Sequence, residues 1–435
     1  MTPAGRTQSA GGRRRFAALL LLPTVLLLWC TSRSNPVTTI EFWGLGREGE
    51  VVAGLLPDFY KENPNIRVDV QQIPWTAAHE KLLTAHVGNS LPDVAQVGNT
   101  WIPEFVTMQA VEGLNARVAS SKGIDRSEFF PGIWDTNVVG RELYGIPWYV
   151  DTRVLFYRTD MIPTPPRTWS AWIAVMERLK RESKDPHFYP LLMPTNEWPQ
   201  PVIFALEKGA QLVTDDGHPR FSDPQFVEAF SFYTDIYRRG LAPAIGSSQV
   251  ANLYQQFGAG DFAMFISGPW DVGNLRLRLS KEQQKLWSTA PMPAPDGTPF
   301  PGVSLSGGSS LVIFRHSTKQ DAAWKLIEFL SRPEIQIRFY ELSGDLPSRR
   351  SGWRAPDLVS DPQIAAFRAQ LDRTVALPRL PEWENIATSI FEAGQLATRG
   401  QFDAREGARR LDEKVNVMLE KRRWVMARTA DGGSR

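Results

Sequence analysis

Between residues 39 and 111 the sequence alternates between two hydrophobic rhythms, and this alternation narrows the fold more than any other feature. TIEFW at 39–43 reads as a strand. Val51, Val52, Leu55, Leu56 and Phe59 follow at helical spacing, with Pro57 placed to kink or shorten the helix. Ile66, Val68 and Val70 alternate with Arg67 and Asp69, the period of a half-buried strand. A helix over Thr76 to Val87, a strand over Asp93 to Val97 and a helix over Ile102 to Val111 complete a βαβαβ run. Such a run implies a parallel sheet with helices on both faces.

The second half carries clear punctuation. Asp223 caps and Pro224 opens a helix that buries Phe226, Val227, Phe230 and Tyr233, and Gly240 closes it. Ser317 with Gln320, and Ser331 with Glu334, have capping-box spacing. Leu311 to Phe314 reads as a buried strand. PMPAPDGTPFPG (291–302) and SGDLPSRRSG (343–352) have the composition of crossings between domains. Trp169, Trp172 and Trp324 fall on amphipathic helix faces and read as core. A chain of 435 residues implies two domains or three.

The amino terminus reads as an address. Arg13, Arg14 and Arg15 precede an apolar run, FAALLLLPTVLLLW, over residues 16–29. That run is short for a bilayer span and contains Pro23, so the layout is that of an export signal. The arginines and Phe16 also partly match a twin-arginine signal. Cys30 follows at once, where bacterial lipoproteins are lipidated, although Trp29 stands where that pattern has a small residue. Residues 31–37 read as a polar tether, and residues 426–435 as a disordered tail.

Several chemistries are excluded. The 49 Lys and Arg nearly balance the 47 Asp and Glu, so there is no footprint for nucleic acid. One cysteine allows neither an intrachain disulfide nor a cysteine-based zinc site. His79, His86, His187, His218 and His316 lack metal-pair spacing, and no phosphate loop or nucleophile elbow occurs. A pair of catalytic carboxyls among Glu48, Asp151, Glu197 and Glu382 has no signature in sequence. The fifteen tryptophans suggest flat binding walls.

Nine segments then carry a resemblance. They are IEFW (40–43), FYKENPNIRV (59–68), LPDVAQVGNTW (91–101), YGIPWYVDTRVLFYR (144–158), PPRTWSAW (165–172), GDFAMFISGPW (260–270), GGSSLVIF (307–314), AAWKLIEFLSRPE (322–334) and GDLPSRR (344–350). In order and spacing, from about residue 38 to 425, the chain resembles the extracellular solute-binding proteins of family 1. These are the sugar-capturing components of bacterial ABC importers, related to maltose-binding protein. The resemblance implies an α/β, two-lobe periplasmic-binding-protein fold of type II. Each lobe would be a mostly parallel sheet with flanking helices, and three crossings would form the hinge. The lobes are expected at 38–147 plus 304–348 and at 148–303 plus 349–425, after a signal at 1–30.

A sugar presents apolar C–H faces and a rim of hydroxyls, so aromatic planes and charged acceptors at strand ends suit it. Trp43 ends the first strand, and Arg47 and Glu48 follow in its loop. Asn99, Thr100 and Trp101 end the third strand, where Asn99 and Thr100 could equally cap a helix. Trp75 and His79 follow the second strand, where core packing is an equal alternative. Trp198 lies in a Pro-rich loop, and Gly307 and Gly308 would let backbone amides approach. Arg349 follows the third crossing, where a guanidinium can fork onto two hydroxyls, and Arg350 is its rival for that role. The resemblance adds Tyr149, Asp151, Trp270 as a stacking ring, and Trp383.

The expected function is an exported, monomeric receptor that binds a mono- or oligosaccharide in a cleft and docks on an ABC permease. It would lie in the periplasm or on the outer face of the cytoplasmic membrane, with no cofactor, metal or catalytic residue. The rivals are an exported glycoside-processing enzyme, or the same fold holding a polyamine or a phosphate ester.

Overall fold

The computed structural model describes residues 36–432, with side chains as far as Arg428. The export signal, Cys30 and tether residues 31–35 lie outside the described residues. The first strand, β1 (Thr38–Leu45), pairs in parallel with β2 (Ile66–Ile73) and with β3 (Val94–Gly98). β1 carries Phe42 into one apolar layer and Trp43 and Leu45 into the other, so the sheet is buried on both faces. Between β1 and β2 the helical stretch divides into Gly46–Val52 and Leu56–Glu62, with Pro57 in the first turn of the second piece.

Three more strands complete this sheet: β4 (Ile146–Asp151), β9 (Gly307–Ile313) and β10 (Leu346–Pro347). The order is β10-β4-β9-β3-β1-β2, and β9 runs antiparallel to both β3 and β4. The second sheet has the order β8-β5-β7-β6, built from β5 (Val154–Arg158), β6 (Tyr189–Leu192), β7 (Phe262–Ser267) and β8 (Trp287–Ala290). Here β6 and β7 are parallel while β5 is reversed against β7 and β8. In both sheets the main direction is parallel, and reversed strands come in where the chain passes from one lobe to the other.

β4 runs unbroken to Asp151 and β5 starts at Val154, so the chain leaves the first sheet at 152–153 and not after 147. It returns at 305–307, where Gly307 pairs with Asp151. The Pro/Gly-rich stretch 291–302 is not itself that crossing: Ala294 bridges Thr168, and Arg167 lies over Phe300, so it packs on the second lobe. Residues 343–352 stay largely with the first sheet, because Leu346 and Pro347 pair with β4 and Arg349 bridges Phe129.

Tertiary partners override the expected capping boxes. Ser317 Oγ donates to Asp93 Oδ1 at 2.6 Å, and Gln320 opens its helix after Lys319. Ser331 is buried, and the helix Pro333–Ser343 starts after Arg332. The helix Pro224–Arg238 begins after Asp223 as expected, but that carboxylate pairs with Arg220 at 2.7 Å. The last helix, Ala404–Gly432, continues through residues 426–432, where a disordered tail was expected. Its Ala408, Leu411, Val415 and Leu419 recur at helical spacing and dock on the second lobe.

Candidate functional site

The carboxyl ends of β1 and β3, the β4–β5 crossing and the helix Trp270–Arg278 surround a cavity of about 530 Å3. Such a volume suits a small organic ligand. The walls include Glu48, Asn99, Thr100, Trp101, Tyr149, Asp151, Trp198, Trp270, Gly307 and Gly308 from the sequence-derived set. Gly308 sits at φ +144°, and a Cβ there would lie 2.4 Å from the Tyr149 carbonyl oxygen. The glycine is therefore required for β9 to lie against β4.

Three expected residues are elsewhere. Trp43 is inside the sheet, because β1 continues two residues past it; its ring packs with Leu45, Ile73 and Leu82, and Lys81 Nζ lies 4.5 Å from its centroid. Arg349 turns into the first lobe, where Nη1 donates to the carbonyls of Gly123 (2.7 Å) and Ser331 (3.2 Å). Burial there lowers its pKa from the usual guanidinium value. Trp383 is fully buried with Ile386, Ala387 and Ile390, and meets Trp198 edge to face at 5.5 Å. It backs a cleft residue without reaching the cleft.

The cavity also holds Arg47, Trp75, Arg153, Asn274, Asp345 and Glu384. Of these, Arg47 and Trp75 follow strand ends in the sequence, whereas the others carried no signal of their own. Arg153 and Asp345 lie inside segments that carry the resemblance, and Glu384 is one residue beyond Trp383.

A polar chain anchors the first-lobe wall. Leu45 N donates to Gln96 Oε1 (2.8 Å), and Gln96 Nε2 donates to Tyr149 Oη and Ser309 Oγ, each at 3.2 Å. Tyr149 Oη then donates to Glu48 Oε1 at 2.8 Å, and Trp75 Nε1 donates to the same oxygen at 3.1 Å. Burial pushes the Glu48 carboxyl above its ordinary pKa, although these donors favour its charge. Burial pushes Asp345 well up, and the charges of Glu48 and Asp151 add to the effect. Burial likewise raises Asp151, which Arg153 partly offsets from 3.7 Å. Asp151 Oδ1 and Asp345 Oδ1 are buried with no hydrogen-bond partner among the described residues. Acceptor capacity is thus stored beneath the cavity surface.

Aromatic planes supply the other half of the chemistry. Trp75 and Trp101 meet at 5.7 Å, and His79 lies 5.1 Å from Trp101. His79 Nε2 is 2.6 Å from Glu104 Oε2. Burial alone would lower the His79 pKa, but Glu104 and the nearby Glu384 and Glu80 hold it above its ordinary value. On the second lobe, Trp270 opens its helix. Asp271, next to it, accepts from Ser267 Oγ (2.6 Å) and Tyr254 Oη (2.8 Å), which pins that first turn. The arrangement offers flat apolar walls, carboxylate acceptors and two arginine donors to one enclosed solute.

The profile described as bacterial extracellular solute-binding protein matches residues 44–337. Among solved structures, the sugar-binding protein MalE from the phytopathogen Xanthomonas citri superposes with a TM-score of 0.81 at 45% identity, covering 90% of this chain and 99% of that one. The diacetylchitobiose binding protein DasA of Streptomyces coelicolor is 24% identical over 84% of this chain and 86% of its own. The maltotriose-binding protein of Pyrococcus abyssi is 21% identical over 79% of this chain and 74% of its own.

Proposed function

Because the chain belongs to the bacterial extracellular solute-binding protein family, we propose that it is a receptor that captures a carbohydrate between its two sheets and delivers it to the permease of an ABC importer. The observation that carries this reading is one cavity walled by Trp75, Trp101, Trp198 and Trp270 and edged by Glu48, Asp151, Asp345 and Glu384. Indoles cover the C–H faces of a pyranose, and carboxylates accept from its hydroxyls with charge-assisted strength. Arg47 and Arg153 offset part of the negative charge, which favours a neutral polyol over a polyamine. A phosphate ester would meet four carboxyls at close range, an unfavourable partner for an anion.

The receptor releases its solute unchanged, works as a monomer and acts outside the cytoplasmic membrane. Cys30 is its candidate lipid anchor. A thermal-shift screen tests the ligand class, since a solute that binds only the native state raises the melting temperature. Mono- and oligosaccharides should raise it while spermidine and glucose 6-phosphate do not. A response to spermidine alone would replace the carbohydrate with a polyamine. Turnover of chromogenic glycosides by the purified protein would replace the receptor with an enzyme.

A further inference from the structure

The helix Trp383–Thr398 belongs to the second lobe: Trp383, Ile386, Ala387 and Ile390 form its buried stripe. Glu384 is one residue on, about 100° around the helix, and lines the cavity. Thr100, on the turn Asn99–Trp101 directly after β3, lines the same cavity from the first lobe. Thr100 Oγ1 donates to Glu384 Oε1 at 2.7 Å. Close by, Arg379 Nη1 donates to the Asp135 carbonyl oxygen at 3.0 Å. Asp135 closes the short helix Pro131–Asp135, whose Trp134 packs in the first lobe. The segment 379–384 is thus tied twice to the opposite lobe.

We propose that Glu384 is the clasp residue of the cleft, gripping the solute and the opposite lobe's Thr100 with one carboxylate. The solute-gripping half rests on the carbohydrate reading above; the clasp half does not. A carboxylate offers about four acceptor positions, so a bond from Thr100 leaves room for a ligand hydroxyl. The Thr100 bond joins side chains of the two lobes across the cleft, so it is lost when they part. It therefore favours the shut form, and apparent affinity scales with the fraction of molecules that are shut. Glu384 also takes part in specificity, because a solute must fit a carboxylate already oriented by Thr100.

Small-angle scattering of the purified, sugar-free protein reads the clasp directly. Thr100→Val removes the donor at nearly constant shape, and Glu384→Ala removes the acceptor. Each should raise the radius of gyration, the double variant no further than either alone, while Thr100→Ser retains the wild-type value. Melting curves of the variants check that both lobes are folded. Scattering of Thr100→Val and Glu384→Ala that superposes on wild type overturns the clasp, whatever happens to affinity. Calorimetry with a saccharide that raises the melting temperature should show about a tenfold loss for Glu384→Ala, the scale of one hydrogen bond to a charged group. Unchanged affinity there overturns the solute-gripping role. Loss of saccharide affinity in Trp270→Ala without a change in radius separates the two readings. A panel in which no saccharide raises the melting point sinks the carbohydrate reading and the grip on solute, and leaves scattering to decide the clasp.

Discussion

The Arg153 guanidinium lies over Trp270, 4.5 Å from the ring centroid, while its Nη2 is 3.7 Å from Asp151 Oδ2. A Cβ on Gly268 would fall 2.1 Å from the Trp270 ring, so the indole also packs on its own preceding backbone. Both contacts fix the orientation of the ring. Trp270→Ala should lower saccharide affinity about tenfold, the scale of one aromatic platform, with the melting temperature almost unchanged. Gly268→Ala should weaken binding as well by pushing the ring away. Calorimetry showing wild-type affinity for both variants would remove Trp270 from the site.

Tyr149 is both a donor to Glu48 and an acceptor from Gln96. Tyr149→Phe removes the hydroxyl and leaves two buried groups short of a partner. The expected cost is about 1–3 kcal/mol. Urea unfolding should show a lower midpoint with an unaltered slope.

Glu207 gives a pH signature unconnected with the cleft. Its Oε2 accepts from Trp169 Nε1 at 2.7 Å, its Oε1 has no hydrogen-bond partner among the described residues, and burial drives its pKa well above the ordinary glutamate value. The folded state therefore prefers the proton. That contribution is complete below the unfolded-state pKa of about 4.3 and is lost as pH rises toward the elevated native value. Glu207→Gln retains an acceptor for Trp169 and does not titrate. Its melting temperature relative to wild type should climb between pH 5 and pH 8, and a pH-independent difference would contradict this assignment.

Gly344 and Gly400 separate backbone strain from steric conflict. Both have positive φ, +89° and +74°, but only Gly344 is crowded, by Gly273 N at 3.1 Å and Gly273 Cα at 3.2 Å from a built Cβ. Gly400→Ala should cost about 1–2 kcal/mol from the left-handed backbone alone. Gly344→Ala should cost about 2–5 kcal/mol, because overpacking is added. Equal losses in chemical denaturation would mean that the two segments can part at Gly273 without penalty.

The strand–helix rhythm was legible because hydrophobic period is a local property, and Pro57 marked the helix division for the same reason. What sequence obscured depended on direction or on distant partners. Trp43 looked like a strand end because Gly44 and Leu45 gave no sign that pairing with Gln72 and Ile73 would extend β1. Trp383 and Glu384 differ by one helical step, which sends one into the core and the other to the cavity wall. Arg349 was turned inward by carbonyls of Gly123 and Ser331, both remote or out of register in sequence. Ser317 had a local capping role open to it, yet Asp93 lies 224 residues away in the chain and takes its hydroxyl. Arg153 and Asp345 owe their place to the crossing and to the turn after Ser343, neither of which has a periodicity.

The pairing of Gly307 with Asp151 puts the outgoing and returning crossings side by side on one ladder. Two hinges mounted on a shared rail must bend in concert, as a door hung on a single pin does. Because that ladder lies within the first sheet, the second lobe can swing about its end while β4 and β9 stay paired. Capture and release therefore become opposite strokes of one rotation.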